Sequence, residues 1–180
     1  SAHNSTGNIL TDSNMKGTVS AESYNDSTTN YFNSLRQSLK IVSWNINGLT
    51  NAKLADVILG NFLVKFDIIL LTETWTCRED NFELEGYNFY NFPRKYRHPK
   101  AKRESGGLGI FIRETISEGV IMSKCREDVL AWVKIKSEFF GLEKDIYLGN
   151  IYIVPQGSVY MRDDVFTLLQ LRSPSRQARL

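Results

Sequence analysis

Between two carboxylates the chain runs Asp67-Ile68-Ile69-Leu70-Leu71-Thr72-Glu73. In a β-strand successive side chains point to opposite faces, so four large apolar residues in a row demand burial on both sides at once. Such a run fits a strand covered on both faces, and it commits the chain to more than one layer. Upstream, Ile41-Val42-Ser43-Trp44 reads as a second short strand, and Leu54, Val57, Ile58 and Phe62 follow at helical spacing behind a polar start at Thr50-Asn51. Strand, helix and strand together predict a crossover unit. Its two strands would be parallel, and their polar ends, Asn45 and Glu73, would meet at one edge of a sheet.

Downstream the pattern turns mostly β, with strands predicted at residues 87–90, 107–112, 129–135 and 146–154 and polar connections at 113–118 and at Glu127-Asp128. Between two of these strands Arg94, Lys95, Arg97, Lys100, Lys102 and Arg103 crowd together, with Tyr96 and His98 among them. A helix is expected from Asp163 to about Gln170, stopped by Pro174. Residues 1–38 are rich in Ser, Asn, Thr and Asp without apolar periodicity, which predicts a disordered leader. The expected organisation is therefore a leader (1–38), one α/β domain (39–170) and a divergent tail (171–180).

Composition narrows the function classes only slightly. A 42% hydrophobic and 23% charged chain is that of a globular domain, and a net charge of +2 puts any electrostatic argument on local clusters. Cys77 and Cys125 stand in no metal-ligand spacing and are expected as free thiols. With no apolar run long enough for a membrane span, the expectation is an intracellular protein of nucleus or cytoplasm, with no membrane and no protein partner.

A carboxylate at the end of one buried strand, facing an amide at the end of its neighbour, suits one Mg²⁺ and a phosphate oxygen. Magnesium takes few protein carboxylates, several waters and the substrate's own oxygens, so Glu73 alone could suffice. The plainer alternative is that Glu73 is a solvated strand terminus and Asn45 a turn former before Gly48.

The ordered set "LKIVSWNINGL", "FDIILLTETW", "SGGLGIFIR", "DVLAWVKI" and "LGNIYIVP" resembles the endonuclease/exonuclease/phosphatase superfamily with its DNase I-like fold, nearest to the endonuclease domain of LINE-type retrotransposons. That resemblance covers about Leu39 to Gln170 and implies a four-layered α/β/β/α sandwich, here incomplete, with the second half largely missing. It implies Asn45 as the residue that orients phosphate and water, Glu73 and Asn47 at a Mg²⁺ ion, and Tyr152 at the scissile phosphate. It further implies DNA as partner and phosphodiester hydrolysis as the reaction of the intact domain. The family's G-D-x-N and S-D-H segments do not occur in the sequence, and the histidines are His3 and His98, so the chain itself is expected to be weakly active or inactive.

The remaining motifs admit more than one reading. Arg94, Lys95, Arg97, Lys100, Lys102 and Arg103 could contact DNA phosphates, or form a solvated hairpin tip. Gly106-Gly107-Leu108-Gly109 leads into a strand, so it lacks the helix N-terminus of a nucleotide-binding loop. Trp44, Trp75 and Trp132 read as core or cleft-wall aromatics, Trp75 bordering the site. Alternatives to a truncated endonuclease domain are a non-catalytic nucleic-acid-binding remnant and a phosphatase- or sphingomyelinase-type member of the same superfamily.

Overall fold

The computed structural model describes residues 38–99, 101, 104–122 and 129–161. The predicted leader up to residue 37, the helix at 163–170, the tail, Cys125, Glu127, Asp128, Lys100, Lys102 and Arg103 lie outside the described residues.

Strand β1 (Ile41–Asn45) is followed by helices α1 (Asn51–Leu54) and α2 (Val57–Leu63) and by β2 (Ile68–Thr72), which pairs parallel to β1 with Asn45 opposite Thr72. This is the predicted crossover. Strands β3 (Tyr87–Phe92) and β4 (Leu108–Arg113) complete a four-stranded sheet of order β1-β2-β4-β3, the last two pairings antiparallel. All five residues of β2 are buried, as its apolar run requires. One face of the sheet packs Ile69, Leu71 and Phe111 against Leu49, Leu54 and Leu63 of the crossover and against Phe82 and Leu84. Burial of each such side chain contributes about 1.5–3 kcal/mol.

The helical segment differs from its predicted form. Leu54 is buried, but Val57, Ile58 and Phe62 are 72%, 83% and 39% exposed. The cause is a break. Thr50 caps α1 by accepting from the Lys53 N–H, α1 ends at Ala55, and the Asp56 carboxylate then caps α2 by accepting from the N–H groups of Ile58 and Leu59. The restart turns Leu59 and Leu63 toward the core in place of Val57, Ile58 and Phe62.

A second sheet follows, of order β5-β6-β7, from β5 (Val120–Met122), β6 (Leu130–Ile135) and β7 (Ile146–Ile151), all antiparallel. A second layer is thus present, as a three-stranded sheet among the described residues. Predicted strands at 129–135 and 146–154 build most of it, the latter ending at Ile151. Residues 114–119, expected as a polar connection, form a 3₁₀ helix that buries Ile116 and leads directly into β5. A short helix α3 (Ser137–Phe140) links β6 to β7 and ends on Gly141 at φ +63°. The two sheets meet where β7 approaches β2: Asn150 Nδ2 donates to the Leu71 carbonyl at 3.0 Å.

At the sheet end away from Glu73, Arg113 fixes the crossover. Its Nε pairs with Asp67 Oδ1 at 3.0 Å, its Nη2 donates to the carbonyls of Val64 and Phe66, and its guanidinium lies over the Tyr87 ring. Burial pushes the Tyr87 phenol above its ordinary range.

Candidate functional site

The loops that leave β1 and β2 are stitched together residue by residue. Beyond the Asn45–Thr72 pair, Ile46 N–H donates to the Thr72 carbonyl at 3.0 Å, Gly48 N–H to Glu73 at 2.7 Å and Leu49 N–H to Thr74 at 2.8 Å. Asn45 and Glu73 therefore stand at one end of one sheet, side by side.

Each polar residue there has a defined set of partners. Asn45 Oδ1 accepts the Asn47 N–H at 3.1 Å, closing a turn of the kind asparagine side chains form. With its oxygen so engaged, the Asn45 amide has two N–H groups that meet no acceptor among the described residues, which suits an anionic oxygen. Asn47 is exposed and takes φ +51°, a left-handed conformation that asparagine tolerates. Lys53 reaches back from α1 so that its Nζ donates to the carbonyls of Ile46 at 2.8 Å and Asn47 at 2.7 Å. Sequence reasoning missed Lys53. The available signal was a lysine three residues after a helix cap, long enough to fold back over the turn.

Glu73 is half-buried, with φ +56°. Its Oε2 accepts two hydrogen bonds, from Trp75 Nε1 at 2.6 Å and from the Gly106 N–H at 3.0 Å. Among the described residues no donor meets Oε1, which is left to a further ligand. Trp75 borders the site as expected, whereas Trp44 is 39% exposed on the edge strand, against Phe62. Cys77 is an exposed free thiol at the end of the same loop.

Tyr152 follows β7 and continues its ladder, donating N–H to the Val129 carbonyl at 2.9 Å. Alternation along the strand puts Tyr152 on the same face as Asn150, the face that meets β2.

The basic segment divides in two. Arg97 is already compensated: Nη1 pairs with Glu104 at 3.0 Å and Nη2 donates to the Ala101 carbonyl. Arg94 is partly buried, its Nε donating to the Ser105 carbonyl at 2.8 Å and its guanidinium stacked 4.0 Å from the centre of the Tyr160 ring. Tyr160 in turn accepts the His98 N–H on its hydroxyl. Arg94 is built into the structure beside Gly106, where an added Cβ would lie 2.0 Å from its Nη2, so this part of the segment is no solvated tip. Lys95 belongs to the same segment, at its start. Tyr160 was not singled out in the sequence, since nothing local marks it as the seat of an arginine 66 positions away.

Among the described residues no three His, Cys, Asp or Glu side chains gather in one place. Of the residues at this strand end, Glu73 alone carries a carboxylate, and the Asn45 amide oxygen is already taken by the Asn47 N–H. Also among these residues, no helix is long and apolar enough to cross a membrane.

Two β-sheets and several short helices make a mixed α/β fold, an arrangement consistent with the DNase I-like type. The profile of the endonuclease/exonuclease/phosphatase family matches residues 42–178, and the chain belongs to that family. It is 36% identical over 78 residues to the "Probable RNA-directed DNA polymerase from transposon BS" of Drosophila melanogaster, a match that takes in 43% of this chain and 8% of that protein. Among solved structures it is similar to a 3′ phosphatase, NExo, from Neisseria bound to a product DNA hairpin. That similarity has a TM-score of 0.42 and 16% identity, over 79% of this chain and 47% of the other.

Proposed function

We propose that residues 39–170 are the phosphate- and metal-holding part of a retrotransposon-type endonuclease domain, whose intact form hydrolyses DNA phosphodiester bonds with Mg²⁺. The observation that carries this is the pairing of Asn45 with the Glu73 strand end in a chain of this family. The stretch of likeness to a transposon polymerase supports the retrotransposon assignment.

In this proposal Asn45 donates from Nδ2 to a non-bridging phosphate oxygen, while Glu73 offers Oε1 to the cation and Asn47 adds its amide from the solvent side. Tyr152 donates its hydroxyl to the scissile phosphate. Mg²⁺, when bound, supplies charge neutralisation at the phosphate oxygens. Arg94, Lys95, Arg97, Lys100, Lys102 and Arg103 hold the flanking DNA backbone by charge. The sequence has no G-D-x-N and no S-D-H, so no residue on this chain is assigned to activate the water, and the purified chain is expected to bind more than it cuts.

Supercoiled DNA incubated with the chain and Mg²⁺ is expected to stay at background nicking, while a short duplex binds in a Mg²⁺-dependent way that Glu73→Ala weakens. Mg²⁺-dependent nicking that disappears in Glu73→Ala would overturn the inactivity. Binding that ignores both Mg²⁺ and Glu73 would overturn the site and favour a non-catalytic nucleic-acid-binding module. The placement of Arg94 on Tyr160 gives that second reading its specific support.

A further inference from the structure

We infer that Trp75 is a positioning residue for Glu73: its indole N–H holds the carboxylate in the one orientation that turns Oε1 outward for a divalent cation. The inference rests on the cation site proposed above. Both described hydrogen bonds to the carboxylate fall on the same oxygen, Oε2, from Trp75 Nε1 at 2.6 Å and from Gly106 N–H at 3.0 Å. A glutamate side chain is otherwise free to sample many rotamers, and two donors on one oxygen remove that freedom before any ligand arrives.

The backbone is shaped to make this contact. Glu73 and Trp75 both have φ +56°, a conformation that bulky residues hold only where the surroundings impose it. What imposes it is visible on either side. Trp75 N–H donates to the Gly106 carbonyl at 2.9 Å, so Gly106 grips Trp75 with its C=O and Glu73 with its N–H. The indole lies on Gly48, where an added Cβ would come within 2.5 Å of Cε3 and 2.9 Å of Cζ3. Gly48 N–H meanwhile donates to the Glu73 carbonyl. The N-G of the first strand end and the E-T-W of the second are therefore parts of one device, with a glycine leaving room for the ring that orients the acid.

A ring that only filled the space over Gly48 would have no use for an N–H. Trp75→Phe keeps an aromatic ring and removes the donor, and it separates the two roles. Loss of a hydrogen bond to a metal-ligating side chain typically lowers metal affinity about 10–100-fold.

The test is a Mg²⁺ titration of the whole chain by calorimetry, with Mn²⁺ paramagnetic resonance as a second probe, on the natural chain, Glu73→Gln and Trp75→Phe. Alongside, a Trp44→Phe/Trp132→Phe variant leaves Trp75 as the sole indole, whose emission reports on its own hydrogen bond. The expected result is affinity lost in Glu73→Gln, reduced about 10–100-fold in Trp75→Phe at an unchanged thermal midpoint, and a Trp75 emission shift on Mg²⁺ addition. Natural affinity in Trp75→Phe overturns the inference alone, as does a silent Trp75 when Glu73→Gln still weakens binding. A natural chain that binds neither cation overturns the inference together with the cation site. Should Trp75→Phe fail to fold, the emission of Trp75 decides.

Discussion

The side-chain amide of Asn150, on the second sheet, donates to the main-chain carbonyl of Leu71, two residues before Glu73 on the first, at 3.0 Å. Asn150 is 2% exposed, and its Oδ1 is buried with no described partner. This single bond ties the strand that leads to Tyr152 to the strand that leads to Glu73. Removing it should cost stability and loosen the relation between those two residues. Asn150→Ala is expected to lower unfolding free energy by about 1–3 kcal/mol in urea, the cost of a buried polar group left unsatisfied. Asn150→Asp should be worse at pH 7 than near pH 4, because an ionised carboxylate cannot donate to the carbonyl and a protonated one can. Equal stability of Asn150→Asp at both pH values would show that the amide donor is dispensable.

Gly48 is fixed by two independent constraints, a φ of +87° and the indole of Trp75 against its Cα. An alanine there would carry the backbone penalty of a left-handed conformation and also push on the ring. Gly48→Ala should therefore destabilise the chain by about 1–3 kcal/mol. Gly141→Ala is the control: its φ is +63°, but nothing lies within 4 Å of where its Cβ would be. A thermal midpoint that falls no further in Gly48→Ala than in Gly141→Ala would mean that the indole moves aside without cost.

The parallel pair of β1 and β2 was legible because a continuous apolar run has few alternatives to a doubly covered strand, and because a crossover constrains where both strand ends go. The split of the helix was not, since Asp56 reads equally well as an exposed residue inside one longer helix or as the cap of a second. The second sheet was half legible: β6 and β7 stand out as apolar runs, but β5 has three residues and takes its place only by pairing with β6. At the site, Asn45 and Glu73 could be located from strand ends. Gly106 and Tyr160 could not, because each acts through contacts between segments whose relation is set by the sheets, whereas Lys53 acts locally, on carbonyls six and seven residues before it, and its signal was there to be read. The likeness of 78 residues to a transposon protein, over 8% of its length, extends the motif match without supplying those contacts.

Asp145 makes the segment between β6 and β7 sensitive to acid. Its carboxylate pairs with Lys134 Nζ at 2.7 Å and accepts from the N–H and hydroxyl of Ser137, the first residue of α3. The bond from Lys134, then those from Ser137, hold the carboxyl down at about 2, below the ordinary 3.8, and Lys134 is raised in turn by the bond to Asp145. A depressed folded value means that the ionised carboxylate adds stability above about pH 3.8 and that this is lost as pH falls through about 2. The pair is about one-third exposed, so the effect is small and local. Carbon-detected titration should give Asp145 a midpoint near 2, and amide exchange of residues 137–140 should quicken in Asp145→Ala at neutral pH. A midpoint near 4 would leave the bonds to Lys134 and Ser137 without effect on the carboxyl.

Arg94 and Arg97 lie three residues apart and are expected to contribute differently to DNA binding. Arg97 already shares its charge with Glu104 at 3.0 Å, whereas Arg94 meets only a carbonyl and an aromatic face among the described residues. Each phosphate neutralised contributes about 0.9 to the slope of log affinity against log salt. Arg94→Gln should therefore reduce the slope by about 1, and Arg97→Gln by less than half as much, since its guanidinium must first leave a carboxylate. Glu104→Gln should do the opposite and tighten binding, by releasing Arg97. Fluorescence anisotropy of a short labelled duplex across a salt series measures all three. If Arg97→Gln proves the more damaging, or Glu104→Gln weakens binding, then the ion pair is part of the DNA contact itself and the carboxylate serves to aim Arg97 at the phosphate.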